Sequence, residues 1–274
     1  VSYPFVKGHG TENDFVLLPD PDGSVHGPLD EARVRALCDR RAGLGADGVL
    51  RVVRTASYAA DWPGAPTAVA GEWFMDYRNA DGSIAEMCGN GTRVFAAYLR
   101  EQGLAGDTVT IATRAGDKTL TLDGADWTVD LGPAEILGET KVAAGGHTWP
   151  ARHLSMGNPH AVAFVESLAQ PGSLLEQPEY DAAVYPAGVN VEFVVPVGPQ
   201  HVAMRVHERG VGETRSCGTG AGAVGVAAML ADGATRPAAY TVDVPGGRLT
   251  VRWTDAGVLL SGPAALVARG ETDL

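Results

Sequence analysis

Two cysteines in this chain stand in nearly the same short phrase. Cys88 opens Cys88-Gly89-Asn90-Gly91-Thr92-Arg93, and Cys217, 129 residues later, opens Cys217-Gly218-Thr219-Gly220-Ala221-Gly222. Each Cys-Gly-polar-Gly runs into a segment that reads as a helix. After the first, Val94, Phe95, Tyr98 and Leu99 form an apolar stripe; the second is small or apolar almost throughout, which suits a buried helix. A thiol just ahead of a helix meets unpaired N–H groups and the positive end of the dipole, which predicts that both cysteines favour the thiolate. The glycines that follow let the main chain curl around an anion, so a carboxylate held there would bring its α-carbon close to sulfur. One such unit suggests a nucleophile. Two flanking one carbon suggest a proton taken from one side and returned from the other, which inverts a stereocentre. An amino-acid α-proton is so weakly acidic that stabilising the carboxylate as charge develops is worth more than binding the ground state. Nine residues ahead of each cysteine stands another polar side chain, Asn79 in one half and Glu208 in the other. Two related domains with their cysteines facing across a cleft would produce this echo.

Other chemistries fit less well. The chain has no Cys-x-x-Cys for a redox pair, and His160, His207, Glu208 and the cysteines have no compact metal-ligand spacing, so no metal is expected. Gly43-Leu44-Gly45-Ala46-Asp47-Gly48 matches the dinucleotide pattern but follows a helix-like segment where that pattern needs a strand; it reads as a glycine turn that places Asp47. No Gly-x-Ser-x-Gly elbow is present, and Cys38 reads as a core thiol. With 33 acidic against 21 basic residues the net charge is −12, a surface that repels a phosphate backbone, so no nucleic-acid partner is expected. Three cysteines are too few for a disulfide scaffold. The chain opens without a basic-then-apolar signal and has no apolar run of about 18 residues, so the expectation is a cytoplasmic protein with no membrane partner.

The elements that must position these residues follow from pattern. Phe5 to Leu18 reads as strand, polar turn, strand, and Leu29 to Arg41 as a helix burying Val34, Leu37 and Cys38. Ser57 to Gly71, rich in Ala, Pro and Gly, reads as a surface excursion, and Trp73 to Arg78 as a strand running into the turn Asn79-Ala80-Asp81-Gly82-Ser83. Thr108 to Leu122 predicts a hairpin around Ala115-Gly116-Asp117. Further strands are expected at 161–165, 189–195, 201–207, 240–244 and 248–253, the last two joined through Pro245-Gly246-Gly247. The pattern breaks near 130–136, at Leu131-Gly132-Pro133. Helices are too few for a serial βαβ order, so the fold class is α+β.

Six blocks, in order, resemble the diaminopimelate epimerase family: Lys7 to Phe15, Asn79 to Ser83, Met87 to Arg93, Met156 to His160, Gly188 to Val191, and Glu208 to Gly220. The resemblance implies two pseudo-symmetric domains, each with strands wrapped around a central helix, and an active site in the cleft. It places the domains at 1–132, with 263–274 packing back on the first, and 133–262. The implied activity is cofactor-independent epimerisation of L,L-2,6-diaminoheptanedioate to the meso form, in bacterial lysine and peptidoglycan synthesis, by a homodimer. Cys88 resembles the thiol that donates a proton to the L,L substrate, and Cys217 the thiolate base. Gly89-Asn90 and Gly218-Thr219 resemble the nests for the reacting carboxylate. His160 and Glu208 resemble residues that adjust the cysteine pKa values, with Glu208 also near the reacting amine. Asn13, Asn79, Asn158, Asn190 and Arg209 resemble substrate contacts. Two positions depart from the family pattern: Gly48 stands where many relatives carry a Gln that touches substrate, and Val94 where relatives often have a second Cys. The alternative is a proline-type racemase, which shares two-thiol chemistry but commonly has His where Asn90 stands.

Overall fold

The computed structural model describes residues 1–59, 62–65 and 68–274. It divides into two compact units, Val1–Val129 with Pro263–Leu274, and Asp130–Gly262. Each is built mainly of strands around a helix, and the described residues hold three α-helices: α1 (Glu31–Cys38), α2 (Gly89–Glu101) and α3 (Gly218–Ala231).

In the first unit, strands Tyr3–Gly10 and Asn13–Pro19 form an antiparallel hairpin whose register ends at Gly10 opposite Asn13. The two connecting residues, Thr11 and Glu12, both take positive φ (49° and 60°), the twist that a two-residue hairpin turn demands. Neither is glycine, so the turn carries backbone strain where it delivers Asn13. Asn13–Pro19 runs parallel to Gly48–Arg54, and that strand pairs antiparallel with Trp73–Asn79, setting Phe15, Gly48 and Asn79 in a row. The C-terminal strand Ala265–Thr272 pairs antiparallel with Tyr3–Gly10. Helix α2 packs inside these strands, with Val94, Phe95 and Leu99 fully buried. Its apolar stripe is what makes it the central element.

Three expectations need correction here. The first helix ends at Cys38 and does not reach Arg41, because the Asp39 carboxylate accepts from the N–H groups of Arg41 and Ala42 (both 2.7 Å) and folds the chain into a turn. The Thr108–Thr113 and Gly116–Asp123 hairpin turns at Arg114-Ala115, one residue early, with Thr113 opposite Gly116. In the segment 57–71, residues 60–61 and 66–67 lie outside the described residues. The rest is no mere excursion: Tyr58 is buried, its ring edge-on to Trp62 and Phe74, and the Arg51 guanidinium lies 4.7 Å from the Trp62 ring centre.

In the second unit, strand Pro159–Phe164 runs parallel to Asn190–Gly198, which pairs antiparallel with His201–Glu208. Ala238–Val244 and Gly247–Trp253 form a hairpin through Pro245-Gly246. Side chains two apart share a face of a strand, so the register sorts this sheet in two. Ala161, Ala163, Val191 and Phe193 point one way, into a core with Val142, Leu174 and Tyr185. His160, Val162, Asn190, Glu192, Val206 and Glu208 point the other way, and α3 packs over them. Three of those six are ionisable.

Candidate functional site

Each repeated cysteine is the N-cap of its helix. Cys88 has extended backbone (φ −140°, ψ 120°) and its Sγ accepts from the Gly91 N–H at 3.4 Å; Cys217 (φ −119°, ψ 117°) accepts from the Gly220 N–H at 3.3 Å. Sulfur thus takes the place usually held by a Ser or Asp oxygen, and answers one of the helix's unpaired donors. Beyond the cap, the surroundings diverge.

Cys88 is half-buried, and its Sγ lies 3.6 Å from Asn13 Oδ1, an oxygen that also accepts from Asn90 Nδ2 at 3.1 Å. The other end of Asn13 is anchored as well: Nδ2 donates to Asp47 Oδ2 at 2.7 Å. Asp47 is held by Arg40 Nη2 at 2.6 Å, and the same guanidinium reaches Asp14 at 2.7 Å. Burial alone would raise Asp14, but hydrogen bonds from Arg40 and Lys7 outweigh it and hold its carboxyl down to about 2. The glycine turn therefore does place Asp47, and its use is to fix Asn13 behind Cys88. Asn79 ends its strand with Nδ2 donating to Ser83 Oγ at 3.0 Å. On α2, Arg93 is fully buried. Burial pulls its guanidinium down to about 10, while the nearby Cys88 works to keep it charged.

Gly48 has no room for a side chain. A Cβ on this backbone would lie 2.6 Å from the Arg78 carbonyl oxygen and 2.7 Å from the Tyr77 ring, distances real Cβ atoms do not adopt. Any substituent at this position requires the strand Trp73–Asn79 to shift.

Cys217 is buried and stands among acids. Its thiol donates to the Glu208 carboxylate, which also accepts from Thr214 Oγ1. Its Sγ is 3.6 Å from Thr219 Oγ1. Asn158 Nδ2 donates to that hydroxyl at 3.3 Å, and Asn158 Oδ1 lies 3.0 Å from His160 Nε2. His160 Nδ1 in turn is 2.6 Å from Glu192 Oε1, and both of these side chains are fully buried. Burial raises Glu192, with His160 opposing, and burial also raises Glu208. The expectation that both cysteines favour the thiolate fails at Cys217. Burial, then Glu208 and Glu192, push its thiol well above the ordinary value, and the Gly220 N–H offsets only part of this. The helix N-terminus is present, but desolvation next to two carboxylates is the larger effect.

Asn190 is buried with both ends of its amide engaged by backbone: Nδ2 donates to the Pro159 carbonyl and Oδ1 accepts from the Arg209 N–H, each at 3.0 Å. It thereby ties together the starts of two strands and the turn carrying Arg209. The Arg209 side chain is exposed, its guanidinium donating to the Ala187 carbonyl at 3.3 Å. In the first unit the structure thus groups Asn13, Asn90 and Cys88, and in the second Asn158, His160, Glu208, Thr219 and Cys217. Glu192 escaped the sequence reading. Its signal was there: an acid in the middle of the apolar run Val189 to Val195, where a charge must find a buried partner. Among the described residues no group of three or more His, Cys, Asp or Glu is arranged to hold a metal, and no helix is long and apolar enough to cross a membrane.

A family model described as diaminopimelate epimerase matches residues 5–137 and 153–267. The diaminopimelate epimerase of Streptomyces coelicolor is 55% identical over 280 residues, covering 98% of this chain and 95% of that protein. That of Thermobifida fusca is 50% identical over 273 residues, 98% of each chain. Among solved structures, a phenazine biosynthesis protein of the PhzF family from Bacillus anthracis superposes with a TM-score of 0.67 at 16% identity, covering 100% of both chains. A hydroxyproline epimerase from Agrobacterium vitis superposes with a TM-score of 0.66 at 14% identity, over 99% of this chain and 92% of that one. These two likenesses concern the fold.

Proposed function

The chain belongs to the diaminopimelate epimerase family, and from that premise we propose that it interconverts L,L- and meso-2,6-diaminoheptanedioate without a cofactor, Cys88 and Cys217 serving as the acid–base pair. The observation that carries the reading is the pair of thiols capping helix N-termini, each already accepting a backbone N–H.

In the L,L direction Cys217 is the base and Cys88 the acid. Burial and its carboxylate neighbours hold Cys217 as a thiol in the ligand-free chain, and its S–H is directed at Glu208. Deprotonation leaves the proton on Glu208, whose affinity for it is raised by burial, and a thiolate that accepts from the Gly220 N–H. That thiolate takes the α-proton. The electron pair left on carbon is delocalised into the carboxylate, which the first N–H groups of α2 and α3 stabilise at Gly89-Asn90 and Gly218-Thr219. The Cys88 thiol gives its proton to the opposite face of the same carbon, completing the inversion; in the reverse direction the two thiols exchange roles. His160 and Glu208 adjust the thiols. Asn13, Asn79, Asn158, Asn190 and Arg209 hold the substrate, with the exposed guanidinium of Arg209 suited to a carboxylate at the far end. The proposal includes the place in bacterial lysine and peptidoglycan synthesis, a cytoplasmic location and a homodimer.

The test is exchange in deuterated water. Incubation with L,L-diaminopimelate should place deuterium at one α-carbon as the meso form appears, and proline should exchange none. Exchange into proline in place of diaminopimelate would move the chain to racemase chemistry, and exchange into neither would overturn the reading.

A further inference from the structure

The strand Asn190–Gly198 is buried on both faces from Asn190 to Val194, yet it carries Glu192 at its centre, with no exposure at all. Oε1 of this carboxylate lies 2.8 Å from where a Cβ on Gly220 would stand, and Cys217 Sγ lies 3.2 Å from the same point. Glycine at position 220 is what lets the acid approach the first turn of α3. From Glu192 an unbroken series of contacts leads to the sulfur: Glu192 to His160 (2.6 Å), His160 to Asn158 (3.0 Å), Asn158 to Thr219 (3.3 Å) and Thr219 to Cys217 (3.6 Å).

The series has a direction. Thr219 Oγ1 accepts from Asn158 Nδ2, which leaves the hydroxyl proton free to turn toward Sγ. Asn158 presents Nδ2 to Thr219 only while Oδ1 faces His160, and Oδ1 is an acceptor, so His160 Nε2 must carry a proton. Nε2 is protonated whenever a second proton is shared between Nδ1 and Glu192 Oε1, on whichever side of that short bond it rests. Remove the group at Nδ1 and the ring's tautomer is no longer set. Asn158 can then turn its amide over, and the Thr219 proton follows Oδ1 and leaves the sulfur.

We propose that Glu192 is a positioning residue for Cys217, acting through His160, Asn158 and Thr219 to keep the Thr219 hydroxyl aimed as a donor at the sulfur. It rests on the reading of Cys217 as a reacting thiol, and deepens it by naming what orients the donor. The titratable groups that bear on this arrangement are His160 beside Glu192, Glu208 beside Cys217, and Tyr185, which feels the charge of Glu192.

The experiment measures the rate at which iodoacetamide labels Cys217, resolved by peptide mass, against pH, together with kcat and KM for diaminopimelate. Labelling needs no turnover, so it decides this inference separately from the proposed activity. Cys38, buried to the same degree, gives the background rate that comes from opening of the fold in each variant, and Cys217 labelling is read above it. Glu192→Met should lower kcat about tenfold, the scale of one hydrogen bond to a charged group, and leave the labelling profile at higher pH than in Glu192→Gln, since both variants remove the carboxylate that raises the thiol and only Met also loses the donor. Thr219→Val, which removes the donor and changes no charge, should lower kcat likewise and move the profile above that of the wild type, and the double variant should turn over little more slowly than either single one. Glu192→Gln, whose amide can donate to Nδ1 and so keep the proton on Nε2, should hold kcat near wild type while its profile moves to lower pH with the loss of the charge. A profile in Glu192→Met that lies no higher than in Glu192→Gln would overturn the proposal. So would a Glu192→Gln variant as impaired as Glu192→Met, or losses that add independently in the double variant.

Discussion

The two thiols share a cap and differ in company. At Cys88 the sulfur is half-buried, faces the Asn13 amide oxygen and lies close enough to the buried Arg93 guanidinium to help keep it charged. At Cys217 the sulfur is buried, and burial first, then the charges of Glu208 and Glu192, drive it toward the thiol. A helix N-terminus favours a thiolate at both, by an interaction that falls off within one turn. A buried formal charge a few ångströms away is larger. The comparison teaches that a repeated motif specifies where a nucleophile sits, while the side chains brought in by the sheet beneath specify its charge. In the proposed reaction, where one thiol gives a proton and the other takes one, that asymmetry serves both roles.

The largest effect that would break the comparison is loss of either sulfur. Cys88→Ala and Cys217→Ala should each reduce epimerisation by about a thousandfold or more, with the circular-dichroism spectrum unchanged. Turnover near wild type in either variant would mean that the two sites are not partners in one reaction.

Next comes the acid beside Cys217. Glu208→Gln removes both the acceptor of its S–H and a charge that raises the thiol, so kcat should fall about a hundredfold. The sign of the pH effect is opposite to that of the activity. Thiolate is the form that is alkylated, and losing a neighbouring anion favours thiolate, so the Cys217 labelling profile should move to lower pH while that of Cys88 stays put. A Cys217 profile unchanged in Glu208→Gln would assign its raised proton affinity to burial and Glu192.

A smaller effect is expected at the other sulfur. Arg93→Met keeps the bulk of a buried side chain and removes the cation together with its hydrogen bond to Thr11. The Cys88 labelling profile should shift to higher pH and kcat should fall about tenfold, with Cys217 unaffected. Equal shifts at both thiols would show that the contrast between them is not local. The least effect belongs to the third cysteine. Cys38 is buried on α1, and burial pushes its thiol up to about 11. Cys38→Ala should cost about 1 kcal/mol in thermal or urea unfolding, by lost packing, and leave turnover untouched.

Much of this was legible before the fold was known. The Cys-Gly-x-Gly echo located both caps, because capping is a local matter settled by a few residues and the first turn that follows them. Alternation located the strands beginning at Pro159, Asn190, His201, Ala238 and Gly247, because each buries an apolar face. Glu135–Ala144 and His147–Ser155 were missed: the first is mostly exposed, and neither carries an apolar alternation to betray it. The α1 boundary was overrun because a carboxylate at Asp39 competes for the backbone in a way that periodicity does not register.

What the sequence by itself determined, then, is the set of local facts: two capping thiols, the glycines that bare the helix ends, and the apolar stripe that centres α2. The tertiary structure alone decided the chemistry of those thiols. The register of Pro159–Phe164 against Asn190–Gly198 and of that strand against His201–Glu208 turns His160, Glu192 and Glu208 to one face, under the first turn of α3. Those three residues lie tens of positions from Cys217 in most cases, and nothing in their spacing says which face they share. Electrostatic effects depend on distance in space and on burial, and both are set only when strands from separate parts of the chain have paired.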